Sequence, residues 1–151
     1  MAGRRATVEL TNIQMKIKIR KAENSDFLWL MEYDTHISEN TLKSKIDNKE
    51  IYIFENCGKK IGWLRYNLFW DSIPFLNMIY FLEDYRRIGF GTELIKFWEK
   101  EMKLEGYENV LTSTQSNEEA QHFYRKTGYK EIGGFKYLND PFEIIFQKIL
   151  I

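Results

Sequence analysis

The sequence predicts an α/β fold: a single domain with a mixed, mostly antiparallel central sheet flanked by helices. Three observations predict it. Segments that alternate with period 2, or are continuously apolar, are interleaved with segments of 3–4 spacing. Tight turns join some neighbouring strands and helices join others, so hairpins and crossovers share one sheet. The 151 residues, 44% hydrophobic and 16% aromatic, can fill one sizeable core.

Each element has its own local signature. Residues 1–14 differ from the rest of the chain, because a new alternating stretch, MKIKIRKAENSDF, begins at Met15. They are read as an extension with no assigned function, and the domain as 15–151. Lys16–Arg20 alternates and reads as a strand. Ser25 or Asp26 is expected to cap a helix carrying Phe27, Leu28, Leu30 and Met31. A second short helix fits 38–48. IYIFE (51–55), a turn at NCGKK and IGWLRYNLFW (61–70) read as a hairpin. PFLNMIYFL (74–82) is apolar on both faces apart from Asn77, as a central strand should be. A third helix starts near Gly89, with Leu94, Ile95, Trp98 and Met102 on one face and Lys96, Glu99, Lys100 and Lys103 on the other. NVLTST (109–114) is the next strand. Residues 116–129 read as a helix capped by Ser116 or Asn117 and stopped by Gly128. EIIFQKIL (143–150) closes the chain as a strand paired with one near 130–135.

Bulk composition excludes several classes. Lys+Arg (22) equal Asp+Glu (22), which argues against a dedicated nucleic-acid binder. Cys57 is the single cysteine, so no internal disulfide is expected. No apolar run approaches the ~20 residues of a membrane span. The opening MAGRRATVEL lacks the apolar stretch of a signal peptide. A cytoplasmic protein without membrane partners is the expectation.

The chemistry concentrates at YRRIGFGTEL (85–94). A central strand runs through a loop onto a helix N-terminus, where the first N–H groups lack intrahelical partners and the macrodipole is positive. Gly89 and Gly91 let an anion approach the backbone, and Arg86 and Arg87 add charge. A pyrophosphate fits. Two other phosphate turns do not. No Gly-Lys-Ser/Thr exists for a P-loop, and Leu94 stands at the third glycine of a dinucleotide fingerprint.

The run from Ile79 through this turn and on to Gly133 resembles the GNAT superfamily of N-acetyltransferases. The acetyl-CoA motif [R/Q]-x-x-G-x-[G/A] is matched by Arg86-Arg87-Ile88-Gly89-Phe90-Gly91. The second signature is matched by Asn117, Ala120, Phe123-Tyr124 and Gly128-Tyr129. The likeness covers about 15–150. It implies splayed central strands, acetyl-CoA as co-substrate, and pyrophosphate on the amides of Arg87–Thr92. Phe81 and Leu82 would pair by backbone with pantetheine in a V-shaped gap between the 75–82 and 109–114 strands. Asn117 would bond the pantetheine or its neighbouring backbone, and Tyr124 would sit near the sulfur. A phenol with a pKa near 10 can protonate a departing thiolate.

The implied reaction is direct attack of an amine on the thioester. At neutral pH only about one alkylamine in ~10³ is unprotonated, a deficit of about 4–5 kcal/mol that a base or desolvation must relieve. The N–H of Phe81 or Leu82 is the expected oxyanion donor. Many family members carry a glutamate on the central strand where this chain has Phe75. Asp71, Glu83, His36 or a water relay are the remaining candidates for the base. Phe123 is expected to pack on the sheet and Tyr124 to point toward the chemistry. Phe69 and Trp70 could form an aromatic wall for a cation with Asp71 as its charge partner; the competing reading is that Trp70, Phe69 and Phe75 are ordinary sheet core. Asn77, Glu32 and Tyr33 complete the candidate acceptor pocket. A small-molecule amine is the expected acceptor. A protein or peptide amine is the alternative, and so is a non-catalytic acyl-CoA sensor or a nucleotide-binding module. Family likeness also suggests a homodimer, through 135–151 or the 1–14 extension.

Overall fold

In the computed structural model, residues 16–151 are described. The extension read at 1–14 lies outside them. The strands are β1 (Ile17–Lys21), β2 (Ile51–Asn56), β3 (Lys59–Phe69), β4 (Ile73–Phe81), β5 (Asn109–Gln115), β6 (Lys130–Phe135) and β7 (Glu143–Ile149). The helices are α1 (Phe27–Tyr33), α2 (Glu39–Asp47), α3 (Phe90–Leu104) and α4 (Ala120–Lys126). Single 3₁₀ turns precede α1 (Asn24–Asp26) and succeed β4 (Glu83–Tyr85). The strands hydrogen-bond in the order β1-β2-β3-β4-β5-β7-β6. The predicted mixed α/β class is therefore what forms. The chain divides into two compact units, residues up to Arg65 with Ile79–Leu94, and Tyr66–Met78 with Ile95–Ile151.

In the first unit, β1, β2 and β3 form an antiparallel meander. The β2–β3 turn is two residues, Cys57 (φ 52°) and Gly58 (φ 78°), the left-handed pair that matches hairpin twist. Ile51–Phe54 are all buried, so β2 is covered on both faces. Leu30 of α1 and Leu42 and Ile46 of α2 join this core. Ser38 caps α2 by accepting the Thr41 N–H. Gly62 is required by space: a Cβ there would lie 2.5 Å from the Phe81 ring and 2.7 Å from the Tyr80 carbonyl.

Asp26 does not cap α1 with its side chain, contrary to expectation. Its fully buried carboxylate accepts the Glu23 N–H (2.8 Å) and pairs with Arg20 (2.7 Å) and Lys60 (2.7 Å). Burial alone would raise its pKa. The bonds from Arg20, Lys60 and the Glu23 amide win and hold the carboxyl well below the usual range. A depressed folded-state pKa stabilises the fold above the ordinary carboxylate range, and that contribution is lost as pH falls. Asp26→Asn is therefore expected to cost on the order of 2 kcal/mol near neutrality. In urea melts the gap to wild type should close as pH drops from about 6 to about 2. A pH-independent gap would show that shape, not charge, matters there.

In the second unit, β5 and β7 pair antiparallel along their whole length, and β6 adds to β7 as the pairing of 130–135 predicted. β4 pairs with β5 in parallel at Phe75↔Leu111 and Leu76↔Thr112. Asn77 and Met78 continue β4 past that short register, which is the expected divergence of the central strands. Ile95, Trp98 and Met102 bury one face of α3. Glu99, expected on the solvent face, is buried instead. It accepts from Tyr129 Oη (2.8 Å) and Lys148 Nζ (2.7 Å), and Lys148 also donates to the Thr127 carbonyl. These partners lie far away in sequence, so helical spacing alone could not reveal them.

Candidate active site

The first unit carries the anion turn. β4 ends at Phe81, and the Leu82 N–H donates to the Ile61 carbonyl at 2.8 Å. Leu82 is therefore corrected as an oxyanion donor: its N–H already has a partner within the sheet. Adjacent strand residues direct their amides to opposite edges, so the Phe81 N–H points away from β3. Of the two expected donors, the Phe81 N–H is the one not directed at β3. Its own carbonyl accepts Arg86 Nε at 2.7 Å, and the Arg86 guanidinium lies 4.9 Å from the Tyr80 ring centre. Arg86 thus braces the strand end as well as adding charge.

Arg87 (φ 62°) and Gly89 (φ 95°) both take left-handed backbone and turn the chain into α3. The first helical bond runs from Glu93 N–H to the Gly89 carbonyl. The amides of Phe90, Gly91 and Thr92 come before any carbonyl four residues back within the helix, so they have no intrahelical acceptor. Phe90 fixes the helix start by packing its ring on Phe54 (5.1 Å) and Phe81 (6.2 Å). Ile88 is exposed. A cleft of about 290 Å³ beside the turn is lined by Glu83, Arg86 and Arg87. Oriented amides, a positive helix end and two arginines suit a pyrophosphate. Glu83 shares that cleft with both arginines, a place suited to tuning the loop's charge.

A Cβ on Gly89 would meet nothing within 4 Å, so the glycine is needed for its φ alone. Gly89→Ala is expected to lower Tm by about 3 °C. It should raise KM for acetyl-CoA roughly tenfold with kcat near wild type, the signature of lost uniform binding. An unchanged KM would detach this glycine from the co-substrate.

The same unit holds the α1–α2 connection. Tyr33 is half-buried against Trp29 (5.1 Å between rings), while Glu32 and His36 are exposed. The His36 amide donates to Asp34 Oδ1 (3.2 Å), and Asp34 is buried and clamped by Arg65 of β3 (2.7 Å).

The second unit carries the hairpin tip and the tyrosine. Trp70 (φ 54°) and Asp71 (φ 60°) form the β3–β4 turn, with the Ser72 N–H donating to the Phe69 carbonyl. Two non-glycine residues in left-handed backbone are strained. Trp70 is 77% exposed and stacks on Phe69 (4.9 Å), which also reaches Phe75 (6.0 Å). Phe69 and Trp70 are thus a surface aromatic pair, and the sheet-core reading fails for them. Asn77 donates to Asn67 Oδ1 (2.9 Å) on the neighbouring strand.

Helix α4 starts later than expected, at Ala120. Its N-cap is Glu119, without a side-chain cap bond, so neither Ser116 nor Asn117 caps it. Gln121 instead closes the turn by donating to the carbonyls of Ser116 and Glu118. Asn117 sits exposed in that turn. The expected division of labour in the aromatic pair is reversed: Tyr124 is 5% exposed and Phe123 only half-buried. Ala120, Tyr124 and Thr127 share a face at i, i+4, i+7, and that spacing was the available signal. Burial pushes the Tyr124 phenol up, a hydrogen bond with Thr112 opposes this, and the charge of Glu118 adds to it. The phenol is thereby kept in its proton-bearing form at neutral pH. Thr112, Thr114 and Glu118 were missed by sequence reasoning. The threonines' period-2 spacing on β5 was the clue that put both on one face.

A profile of the Acetyltransferase (GNAT) family matches residues 13–129. The chain belongs to the GNAT acetyltransferase family. The family consists of N-acetyltransferases that use acetyl-CoA, and the turn at Arg87–Thr92 suits that co-substrate. Solved structures agree on the fold. The spermidine/spermine N-acetyltransferase of Vibrio cholerae, solved with manganese ions, has a TM-score of 0.73 at 14% identity, covering 91% of this chain and 95% of that one. The ribosomal-protein-S18-alanine N-acetyltransferase of Escherichia coli has 0.72 at 19%, covering 89% and 94%. The PaiA N-acetyltransferase of Thermoplasma acidophilum, in complex with coenzyme A, has 0.64 at 20%, covering 88% and 98%. Among curated proteins there is no significant sequence match. No helix among the described residues is long and apolar enough to cross a membrane.

Proposed function

We propose that this GNAT protein transfers the acetyl group of acetyl-CoA to a primary amine of a small molecule, by direct attack within a ternary complex. The observation that carries the reading is Tyr124, a buried phenol held protonated on the element where the family signature puts it. The amides of Arg87–Thr92, with Arg86 and Arg87, hold the pyrophosphate. The strand end at Phe81 and Leu82 aligns the pantetheine, and Asn117 bonds that arm. The Phe81 N–H donates to the thioester carbonyl as negative charge develops there. Tyr124 gives its proton to the departing sulfur.

The acceptor's ammonium is recognised by the exposed Phe69–Trp70 pair, worth about 0.5–2 kcal/mol to a cation, with Asp71 beside it. Asn77, Glu32, Tyr33 and His36 are second-line acceptor contacts. Asp71 is the preferred base of the three named side chains, because Glu83 lies among arginines and His36 is tied to the α1–α2 connection by its amide. A water relay to Asp71 serves equally. A second copy of the chain is proposed on the 135–151 segment, where Phe135, Tyr137, Leu138 and Phe142 are exposed. The cytoplasm is the proposed setting, as the single cysteine suggested.

The test incubates the protein with acetyl-CoA and a panel of polyamines, amino acids, aminoglycosides and a lysine peptide, reading free thiol. Cys57 is exposed and open to thiol reagents, so an enzyme-only blank is needed. Turnover with a small amine supports the reading, and turnover with the peptide alone moves the acceptor to protein. No turnover with acetyl-CoA still raising Tm would leave a sensor.

A further inference from the structure

Helix α4 carries Tyr124, yet little within the helix fixes its angle. It spans 7 residues, and its N-cap has no side-chain bond. An isolated helix this short is marginal in water, so its orientation comes from whatever holds its ends. The C-terminal end is held. The Tyr129 N–H donates to the Tyr124 carbonyl at 3.0 Å, and the Thr127 hydroxyl lies 3.1 Å from the carbonyls of both Phe123 and Tyr124. Lys148 of β7 donates to the Thr127 carbonyl at 2.8 Å, a cation at the negative end of the helix.

The same ammonium reaches Glu99 Oε1 of α3 at 2.7 Å, and Glu99 Oε2 accepts from Tyr129 Oη at 2.8 Å. Both oxygens of a carboxylate that is 7% exposed are thus engaged. The Tyr129 ring stands edge-on to the Tyr124 ring, with 5.6 Å between centres and 61° between planes. Helix α3, strand β7 and the turn after α4 are therefore tied at one point, and that point touches both the backbone and the ring of Tyr124. Phe146 of β7 meets the ring from 5.9 Å by packing alone. A buried ion pair is a poor source of stability, since well-packed apolar residues of similar volume often serve as well. What it adds here is one geometry: a carboxylate, an ammonium and a phenol bond at set distances, whereas an apolar contact slides.

We propose that Glu99, Tyr129 and Lys148 are positioning residues that set the direction of the Tyr124 phenol. The inference rests on the acid role given to Tyr124 above. The network transfers no proton to the reaction. It gives the C-terminal end of α4 one seat, so that the phenol has one direction from which to protonate the departing sulfur.

The test separates orientation from stability. The triple change Glu99→Leu, Tyr129→Phe and Lys148→Met removes every polar atom of the network together and keeps apolar bulk in its place. Its Tm should stay within about 3 °C of wild type. Tyr129→Phe alone keeps the ring and the ion pair and is the milder variant. For a direct readout, Tyr124 is replaced by 4-fluorophenylalanine in each background, and its fluorine NMR signal is recorded without any substrate. The fluorine takes the place of the hydroxyl on the ring axis, so ring flips do not move it. With the network intact one narrow resonance is expected. The triple variant should broaden or split it, and Tyr129→Phe should do the same to a smaller extent. In the unlabelled enzyme the triple variant should lower kcat roughly 10²-fold, as about 1 Å of misplacement does, with KM for acetyl-CoA unchanged. A resonance that stays narrow and unmoved in both variants overturns the proposal. So does a loss of kcat that appears only together with a fallen Tm, because the three residues would then serve the fold alone. A broadened resonance at wild-type Tm, in a protein that acetylates no amine, would uphold the seat and count against the transferase reading alone.

Discussion

Replacing Tyr124 by Phe is expected to lower kcat by about 10²–10⁴-fold, the usual contribution of a positioned acid. KM for acetyl-CoA should change little. The phenol is 5% exposed and Phe fills nearly the same space, so loss of the hydroxyl should cost only about 1 kcal/mol in stability. The folded protein should therefore still bind the co-substrate, and titration calorimetry with coenzyme A separates binding from turnover. The alternative role is structural, since the ring packs on Tyr129 and Phe146. Phe keeps that packing. A variant with wild-type kcat would reduce Tyr124 to a core residue and remove the acid from the mechanism.

The elements that were legible from sequence are those whose signal is local. The β2–β3 hairpin is announced by two strand-like runs on either side of the polar NCGKK turn, and α3 by the spacing of Ile95, Trp98 and Met102. The anion turn was legible because a glycine in left-handed backbone and two arginines stand next to one another in the chain. What escaped depends on partners distant in sequence or on strain. Glu99 reads as a surface residue until Tyr129 and Lys148 arrive from elsewhere. Trp70-Asp71 carries no glycine, so nothing local announces a left-handed turn there. Leu82 looked like a free donor because its partner, Ile61, belongs to another strand. Phe123 read as the packed member of its pair, yet Tyr124 is the buried one; which of two neighbouring helical residues turns to the sheet depends on partners outside the helix.

The largest stability effect is expected at Arg65→Met. Arg65 and Asp34 are 8% and 2% exposed, with Nε to Oδ2 at 2.7 Å and Nη2 to Oδ1 at 3.4 Å. Removing the cation leaves a buried carboxylate whose remaining bond is the His36 amide. Breaking one side of such a pair costs about 3–5 kcal/mol, a fall in Tm of roughly 10 °C for a chain of this size. Arg65→Lys keeps the charge but loses the planar fork and should fall between. The paired change Arg65→Met with Asp34→Leu removes both charges, and it should recover much of the loss, because the penalty belongs to the orphaned carboxylate. The same variants probe the acceptor side. Asp34 ends α1 and anchors the connection bearing Tyr33 and His36 to β3. Below its lowered Tm, Arg65→Met should therefore raise KM for the amine more than KM for acetyl-CoA. Equal changes in both would mean that the connection does not touch the acceptor, and that Arg65 serves the fold only.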